Sequence, residues 1–368
     1  MSQLVFYRKY RPKNFSEVIN QKLTVKILTQ AISQERLSHA YIFAGPRGTG
    51  KTTFARLLAK AINCEKRKKG DYEPCNQCAA CQAINENRAL DLIEIDAASN
   101  RGIDEIRDWK ENIKFPPVHL KYKVFIIDEA HQLTKEAFNA LLKTLEEPPP
   151  YIIFILATTE PDKLPLTILS RAQRYDFKRL NIDDIVKRLS YIAKEENLKV
   201  SPEALKLIAA SSAGGLRDAE SLLGQLAILH EGKIDLSDVE DLVGTVNFDK
   251  IRSFIELLIK KEASQAIKFI SELYDNGADL LTFNREILNY LRYLLIIKVS
   301  SDLSDLLEKE ITLDEIKIIK EQANRLELLD IKRWLDIFLN SQNSLKYSPV
   351  LTLPLELAVV ESIFKEKV

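Results

Sequence analysis

Eight residues, Gly45-Pro46-Arg47-Gly48-Thr49-Gly50-Lys51-Thr52, limit what this chain can fold into more than any other stretch. They follow a short apolar run, Tyr41–Ala44, and open a helical pattern whose apolar face is Phe54, Leu57, Leu58, Ala61 and Ile62. A strand, a glycine-rich turn and a helix in that order predict a three-layer α/β domain built on a parallel sheet. The glycines let successive backbone N–H groups turn toward one anion, with the positive end of the helix behind them. The pattern G-x-x-x-x-G-K-[ST] places the Lys51 ammonium within reach of β- and γ-phosphates and the Thr52 hydroxyl within reach of Mg²⁺. A chance match in a chain of 368 residues is about one in a hundred, and the strand–loop–helix setting lowers it further. The stretch is therefore read as a nucleotide-phosphate cradle, not a chance turn.

Further β-rich runs lie at Leu92–Ile95, Val124–Ile127, Ile152–Leu156 and, more weakly, Arg174–Phe177. Val124–Ile127 and Ile152–Leu156 are apolar without alternation, as expected of strands buried on both faces of a parallel sheet. The first of them runs into Asp128-Glu129. Asp128 is expected to hold Mg²⁺ through water, and Glu129 to polarise an attacking water. As consecutive strand residues the two acids are expected to point to opposite sides. Taken alone, an ordinary solvated strand end explains them equally well; with the phosphate loop upstream, the catalytic reading is preferred.

All four cysteines fall between Cys64 and Cys81, and Cys75, Cys78 and Cys81 are spaced C-x₂-C-x₂-C. That spacing brings thiolates together around a tetrahedral ion, and structural zinc on Cys64, Cys75, Cys78 and Cys81 is the preferred reading. The rival is an iron–sulfur cluster, but its usual bacterial run has the fourth cysteine downstream and before a proline. The adjacent basic run, Lys66-Arg67-Lys68-Lys69, is expected to offset the negative charge of a Cys₄ site; a solvated loop is its other reading.

Acids and bases balance at 53 each, so global charge gives no long-range attraction toward nucleic acid and any such contact must be local. The first residues lack the basic segment and apolar core of a secretory signal, and no apolar run is long enough to span a bilayer. Together with metal-type cysteines this predicts a cytoplasmic protein without membrane contact. After about Leu180 the strand signal stops. Asp183–Ala193, Pro202–Ala210 and Leu216–His230 read as a small helical group. Ile251–Lys260, Ala263–Asn276, Asp279–Lys298 and Ile331–Lys346 continue as helices, and Pro349 and Pro354 interrupt before a last one.

The phosphate loop, the Asp128-Glu129-Ala130-His131 box and the stretch Asn139-Ala140-Leu141-Leu142-Lys143-Thr144-Leu145-Glu146-Glu147-Pro148-Pro149 resemble the AAA+ clamp-loader ATPases. So do Ala157-Thr158-Thr159-Glu160-Pro161 and Leu169-Ser170-Arg171. The cysteine insertion narrows the resemblance to the bacterial group, that of the DNA polymerase III holoenzyme, over essentially the whole chain. Nearly all of the specificity lies between Leu4 and about Arg179.

The resemblance implies an α/β fold: an AAA+ P-loop NTPase domain (1–179) with the zinc-binding insertion, a helical lid domain (180–243), and an all-α collar domain (244–368). It implies that Thr158 senses the γ-phosphate, that Arg171 is an arginine finger entering the next subunit's site, and that Arg217 is the lid sensor. Tyr7-Arg8-Lys9-Tyr10-Arg11-Pro12 and Val18-Ile19 would border the adenine, with Arg11 on the nucleotide. A surface arginine, a capping threonine and a charged lid face are the ordinary alternatives. The family's Ser-Arg-Cys reads Ser170-Arg171-Ala172 here, which keeps the arginine.

The implied activity is ATP hydrolysis that opens a ring-shaped sliding clamp (beta) and releases it on primer–template DNA. The implied partners are copies of this chain and the delta and delta-prime subunits. Longer family members carry further C-terminal segments that bind the helicase and polymerase core, and those contacts are not assigned to this chain. A non-catalytic delta-prime-like scaffold and another AAA+ DNA-remodelling motor are the alternatives; the intact Lys51, Thr52, Asp128 and Glu129 argue against the first, the cysteine insertion against the second. No paired-carboxylate palm signature is visible, so polymerisation is expected of a partner.

Overall fold

A computed structural model of the chain describes residues 5–99, 113, 115–230, 232–243, 248–300, 307, 311 and 313–364. Packing divides it into two compact units, Met1–Leu236 and Ser237–Val368. The boundary falls within the stretch assigned above to the lid.

The first unit opens with α1 (Phe6–Lys9), a 3₁₀ turn (Phe15–Glu17) and α2 (Lys22–Ser33), followed by β1 (Ala40–Ala44) and α3 (Lys51–Ile62). Next come α4 (Ala79–Asn85), β2 (Leu92–Asp96), β3 (Lys123–Asp128), α5 (Lys135–Glu146), β4 (Ile152–Thr158), α6 (Leu166–Leu169) and β5 (Gln173–Asp176). The five strands form one parallel sheet in the order β2-β3-β4-β1-β5. Ala44 pairs with Thr158 and Asp96 with Asp128, so the carboxyl ends of the strands share one edge. Because β4 lies between β1 and β3, the chain leaves these two strands on either side of a crevice, where open parallel sheets bind ligands.

Both faces of the sheet are covered, which is why its central strands show no alternation of hydropathy. Ile42, Phe125, Ile127, Phe154 and Leu156 pack on one face with Ala137, Phe138, Leu141 and Leu145 of α5. Tyr41, Phe43, Val124, Ile126, Ile153 and Ile155 pack on the other with Leu28 and Ile32 of α2 and with Phe54, Leu57 and Leu58 of α3. Burying an aromatic or aliphatic side chain contributes about 1.5–3 kcal/mol, so this core holds the phosphate loop between two rigid elements. The Thr134 hydroxyl accepts the Ala137 N–H and starts α5.

The remainder of this unit is α7 (Ile182–Glu195), β6 (Lys199–Val200), α8 (Pro202–Ser211), α9 (Leu216–Leu229) and β7 (Lys233–Ile234). Strand structure was expected to end near Leu180, but β6 and β7 form a small parallel pair. Two residues are too few to leave a period in the sequence.

Around the start of the second unit lies α10 (Leu236–Val243), followed by α11 (Phe248–Ile259), α12 (Ala263–Asp275), α13 (Leu280–Val299), α14 (Leu313–Asn324), α15 (Leu328–Leu345) and α16 (Leu353–Ile363). Phe254, Phe283, Ile287, Leu291, Trp334 and Phe338 are among its buried core. Asn284, fully buried, donates to the Phe338 carbonyl at 3.0 Å and accepts from the Ser341 hydroxyl at 3.1 Å, tying α13 to α15. Pro354 does not precede the last helix but sits in its first turn, where a missing N–H leaves no hydrogen bond unmade. No helix among the described residues is long and apolar enough to cross a membrane.

Candidate nucleotide site and cysteine cluster

The phosphate loop leaves β1 with φ of +151° at Gly45, +76° at Gly48 and +99° at Gly50. A methyl group at Gly45 would meet the Phe177 carbonyl oxygen at 2.4 Å, and one at Gly48 would lie 3.0 Å from the Gly215 Cα. These positions need glycine both for conformation and for room. Pro46 and Thr49 close the loop, the Thr49 hydroxyl donating to the Pro46 carbonyl at 2.8 Å.

Lys51 is buried, and its ammonium donates to the carbonyls of Gly45 at 2.8 Å and Pro46 at 3.0 Å. Burial lowers its pKa from the ordinary lysine value, while Glu129 and Asp128 pull the other way. The Thr52 hydroxyl donates to Asp128 Oδ2 at 2.8 Å, so the helix start and the end of β3 are already joined. A hydroxyl and a carboxylate at that separation form an oxygen donor pair suited to Mg²⁺.

Glu129 departs from the sequence expectation. It lies beyond β3 with φ of +47°, ahead of a 3₁₀ turn at Ala130–Gln132, so strand alternation does not aim it. The left-handed backbone does. Its carboxylate accepts from the Thr159 hydroxyl at 3.0 Å and lies 3.5 Å from His131 Nδ1. Thr158 is fully buried at the end of β4; its hydroxyl accepts the Glu160 N–H at 3.0 Å and sits 3.0 Å from His131 Nδ1.

Lys51, Thr52, Asp128 and Glu129 open onto a cleft of about 570 Å³. Arg47 to Thr53, Asp128 and Glu129 line its floor; Tyr7, Arg8, Arg11, Pro12, Val18 and Ile19 form one wall, and Leu216, Arg217 and Glu220 another. The Arg217 guanidinium lies 4.8 Å from the Tyr7 ring centre, a cation–π contact between the two walls. The Leu216 N–H donates to the Gly48 carbonyl at 3.0 Å, docking the start of α9 on the phosphate loop. Burial lowers the Arg11 pKa, and the neighbouring Arg56 lowers it further. Burial pushes the Glu220 carboxyl up to about 7 even though Arg188 donates to it at 3.1 Å.

Thr158 and Arg171 are not among the residues that line the cleft. Arg171 is partly exposed and donates to Glu146 Oε1 at 2.8 Å and the Thr167 carbonyl at 2.9 Å. Asp96 and Glu220 were not named from the sequence, and His131 and Thr159 were named only as members of family motifs, with no role of their own. Asp96 carried a usable signal, an acidic end to a short apolar strand like that of Asp128. The other three depend on contacts between distant elements.

The four cysteine sulfurs lie within 4.8 Å of one another, and no disulfide joins them. A tetrahedral zinc with bonds of about 2.3 Å sets its sulfurs about 3.8 Å apart, so the cluster fits that ion. Backbone N–H groups point at the thiols: Cys75 to Cys64 at 3.3 Å, Gln77 and Cys78 to Cys75 at 3.4 and 3.3 Å, and Cys81 to Cys78 at 3.5 Å. Against the raising effect of burial, the Gln77 and Cys78 N–H groups bring the Cys75 thiol down to about 6; burial raises Cys64 and Cys81.

Within the basic run, Arg67 donates to the carbonyls of Ala61 at 2.9 Å and Asp71 at 2.8 Å. The buried cation whose charge acts with Cys81 is Lys60 of α3; burial lowers its pKa and Cys81 opposes that.

Three family models match consecutive parts of the chain. They are described as DNA polymerase III, delta subunit (20–181), DNA polymerase III clamp loader subunit, ATPase lid domain (184–232), and DNA polymerase III subunits gamma and tau domain III (234–367). The DNA polymerase III subunit tau of Bacillus subtilis is 44% identical over 98% of this chain and 63% of its own length. That of Escherichia coli is 36% identical over 99% of this chain and 56% of its own. The chain thus spans about half to two thirds of these tau proteins. The DNA polymerase III subunit gamma of Buchnera aphidicola, from Acyrthosiphon pisum, is 33% identical over 99% of both chains. With a five-stranded parallel sheet in its first unit and a relative matched over 99% of both chains, the chain belongs to the DNA polymerase III gamma/tau family of clamp-loader subunits.

Proposed function

We propose that this chain is the ATP-hydrolysing motor subunit of a bacterial clamp loader. The observation that carries the proposal is the convergence of Lys51, Thr52, Asp128 and Glu129 on one cleft, with Thr52 and Asp128 joined at 2.8 Å. Lys51 and the loop amides bind the triphosphate, while Arg8, Arg11 and Arg217 surround the rest of the nucleotide. Thr52 and Asp128 would hold Mg²⁺, which would supply charge neutralisation on the phosphates. Glu129 takes the proton of the attacking water once its carboxylate leaves the Thr159 hydroxyl. Thr158, seated between His131 and Glu160, relays the state of the γ-phosphate to this group.

Arg171 acts on the neighbouring subunit's nucleotide, which agrees with its position outside its own cleft; such a finger contributes about 10³–10⁵ in rate. ATP binding at subunit junctions then favours the clamp-opening arrangement, and hydrolysis releases the closed clamp (beta) on primer–template DNA. The names of the relatives support a DNA polymerase III setting; the partners in this reading are the delta and delta-prime subunits and further copies of this chain, in the cytoplasm. The residues at the nucleotide site argue against a non-catalytic scaffold. Structural zinc on Cys64, Cys75, Cys78 and Cys81 completes the reading.

The test is the steady-state ATPase rate of the purified chain with and without the other loader subunits, the clamp and primed DNA. Joint stimulation by clamp and primed DNA is expected. A rate indifferent to both would remove the clamp-loader mechanism.

A further inference from the structure

The segment from α1 to Ile19 forms one wall of the nucleotide cleft, with Arg8, Arg11, Val18 and Ile19 facing it. So short a segment has no core of its own and must be held from outside. At one end, the Lys9 ammonium and the Tyr10 hydroxyl donate to Glu196 at 2.6 and 2.5 Å, and Arg188 of α7 donates to the Tyr10 carbonyl. At the other end, Phe15 is buried in the core with its ring 6.3 Å from that of Phe54, and the cysteine module adds hydrogen bonds to the backbone around it. The Glu73 carboxylate accepts the N–H groups of Phe15 at 2.8 Å and Ser16 at 2.8 Å, at the start of the 3₁₀ turn, where they lack helical partners. The Asn76 side-chain amide donates to Asn14 Oδ1 at 2.6 Å, and its oxygen accepts from Lys60 of α3 at 2.7 Å.

Glu73 and Asn76 flank Cys75 in the chain, and Cys75 is tied to Cys64 and Cys78 through N–H···S contacts. A metal ion that gathers the four sulfurs therefore sets the position of the two side chains that hold the wall. Without it, the four sulfurs have no common partner, and residues 65–77 lose their cross-link.

We propose that the cysteine module is the anchor of the base-side wall of the nucleotide cleft, with Glu73 and Asn76 as positioning residues, so that metal binding and nucleotide binding strengthen each other. The proposal rests on the nucleotide reading of the cleft given above. Coupling between two sites is reciprocal: whatever factor the metal adds to nucleotide affinity, nucleotide adds to metal affinity.

The experiment uses the full chain and calorimetric titration with two probes, ADP and inorganic tripolyphosphate, which has no base. Metal content is measured in parallel by atomic absorption. The variants are Glu73→Gln, Asn76→Ala and the two together, with Lys51→Met as reference. In the double variant ADP affinity is expected to fall about tenfold, with tripolyphosphate affinity and metal content unchanged. In the wild-type protein, saturating ADP is expected to slow metal transfer to a chromogenic chelator, and in the double variant it is not.

ADP affinity within about twofold of wild type in a metal-loaded double variant would overturn the proposal. An equal fall for both probes would also overturn it, because the module would then act on the phosphate loop through Lys60. Failure of the underlying nucleotide reading looks different: the wild-type chain would not bind ADP, or Lys51→Met would bind it unchanged. If the double variant loses its metal, Glu73→Gln alone decides, since it keeps the side chain's size but removes its charge and replaces one of the two accepting oxygens with an N–H donor.

Discussion

Replacing Lys51 with methionine keeps the length and apolar stem of the side chain and removes its charge. In the folded chain the ammonium is buried and donates to the carbonyls of Gly45 at 2.8 Å and Pro46 at 3.0 Å. Two opposing effects on stability follow. The variant loses two hydrogen bonds from a charged donor, and the Gly45 oxygen is left without that partner, while Pro46 keeps the Thr49 hydroxyl at 2.8 Å. It also no longer buries a charge, whose desolvation opposes folding. The net cost is about 1–2 kcal/mol, well short of unfolding a protein of this size.

Nucleotide affinity is affected more. Losing one charge-assisted hydrogen bond to the phosphates costs about 1.5–3 kcal/mol, or about 10- to 150-fold in Kd. Urea denaturation measures the first quantity and calorimetric titration with ADP the second. A variant that is folded yet binds ADP within about threefold of wild type would refute the cradle reading. So would a loss of affinity fully accounted for by unfolding at the assay temperature.

Other predictions concern the finger, the core and the acid limb of stability. Arg171→Ala is expected to bind nucleotide normally but lose about 10³-fold or more in turnover within the assembled complex; unchanged single-turnover hydrolysis there would exclude a finger. Phe54→Ala empties a buried site between Phe15 and Phe177, whose rings lie 6.3 and 4.8 Å from that of Phe54. A loss of about 3–5 kcal/mol is expected in chemical denaturation, and a much smaller loss would mean that the helix face closes over the gap. Buried Asp91 accepts the N–H groups of Val118 at 2.8 Å, His119 at 2.7 Å and Leu120 at 2.9 Å. Against the raising effect of burial, these bonds bring its pKa below the ordinary 3.8. Its stabilisation is therefore complete above that value and lost as pH falls through the lower folded one. Asp91→Asn should cost about 1–3 kcal/mol near neutrality, with the deficit shrinking below about pH 4; a pH-independent deficit would contradict the assignment.

What could be read along the chain was whatever depends on local pattern. The phosphate loop declares itself because glycine, lysine and threonine act within one strand–turn–helix unit, and Cys75, Cys78 and Cys81 because a metal knuckle is compact in sequence. The unbroken apolar runs of β3 and β4 announced a sheet buried on both faces. Helix α14 was less visible, since its charged residues interrupt the apolar stripe, and the two-residue strands β6 and β7 were too short to carry any period.

The residues that connect elements lay beyond that reading. Glu129 is aimed by a left-handed backbone, and its Thr159 partner is thirty positions away. Glu73 holds Phe15 and Ser16 across almost sixty residues, and Lys60 reaches Asn76 and Asn85 only because α3 packs beside the cysteine module. Local sequence thus determined that this chain has a glycine-rich loop between a strand and a helix, and a cysteine knuckle. Only tertiary structure decided how the two are joined, because that link consists of hydrogen bonds between side chains and backbone groups that no short-range period records.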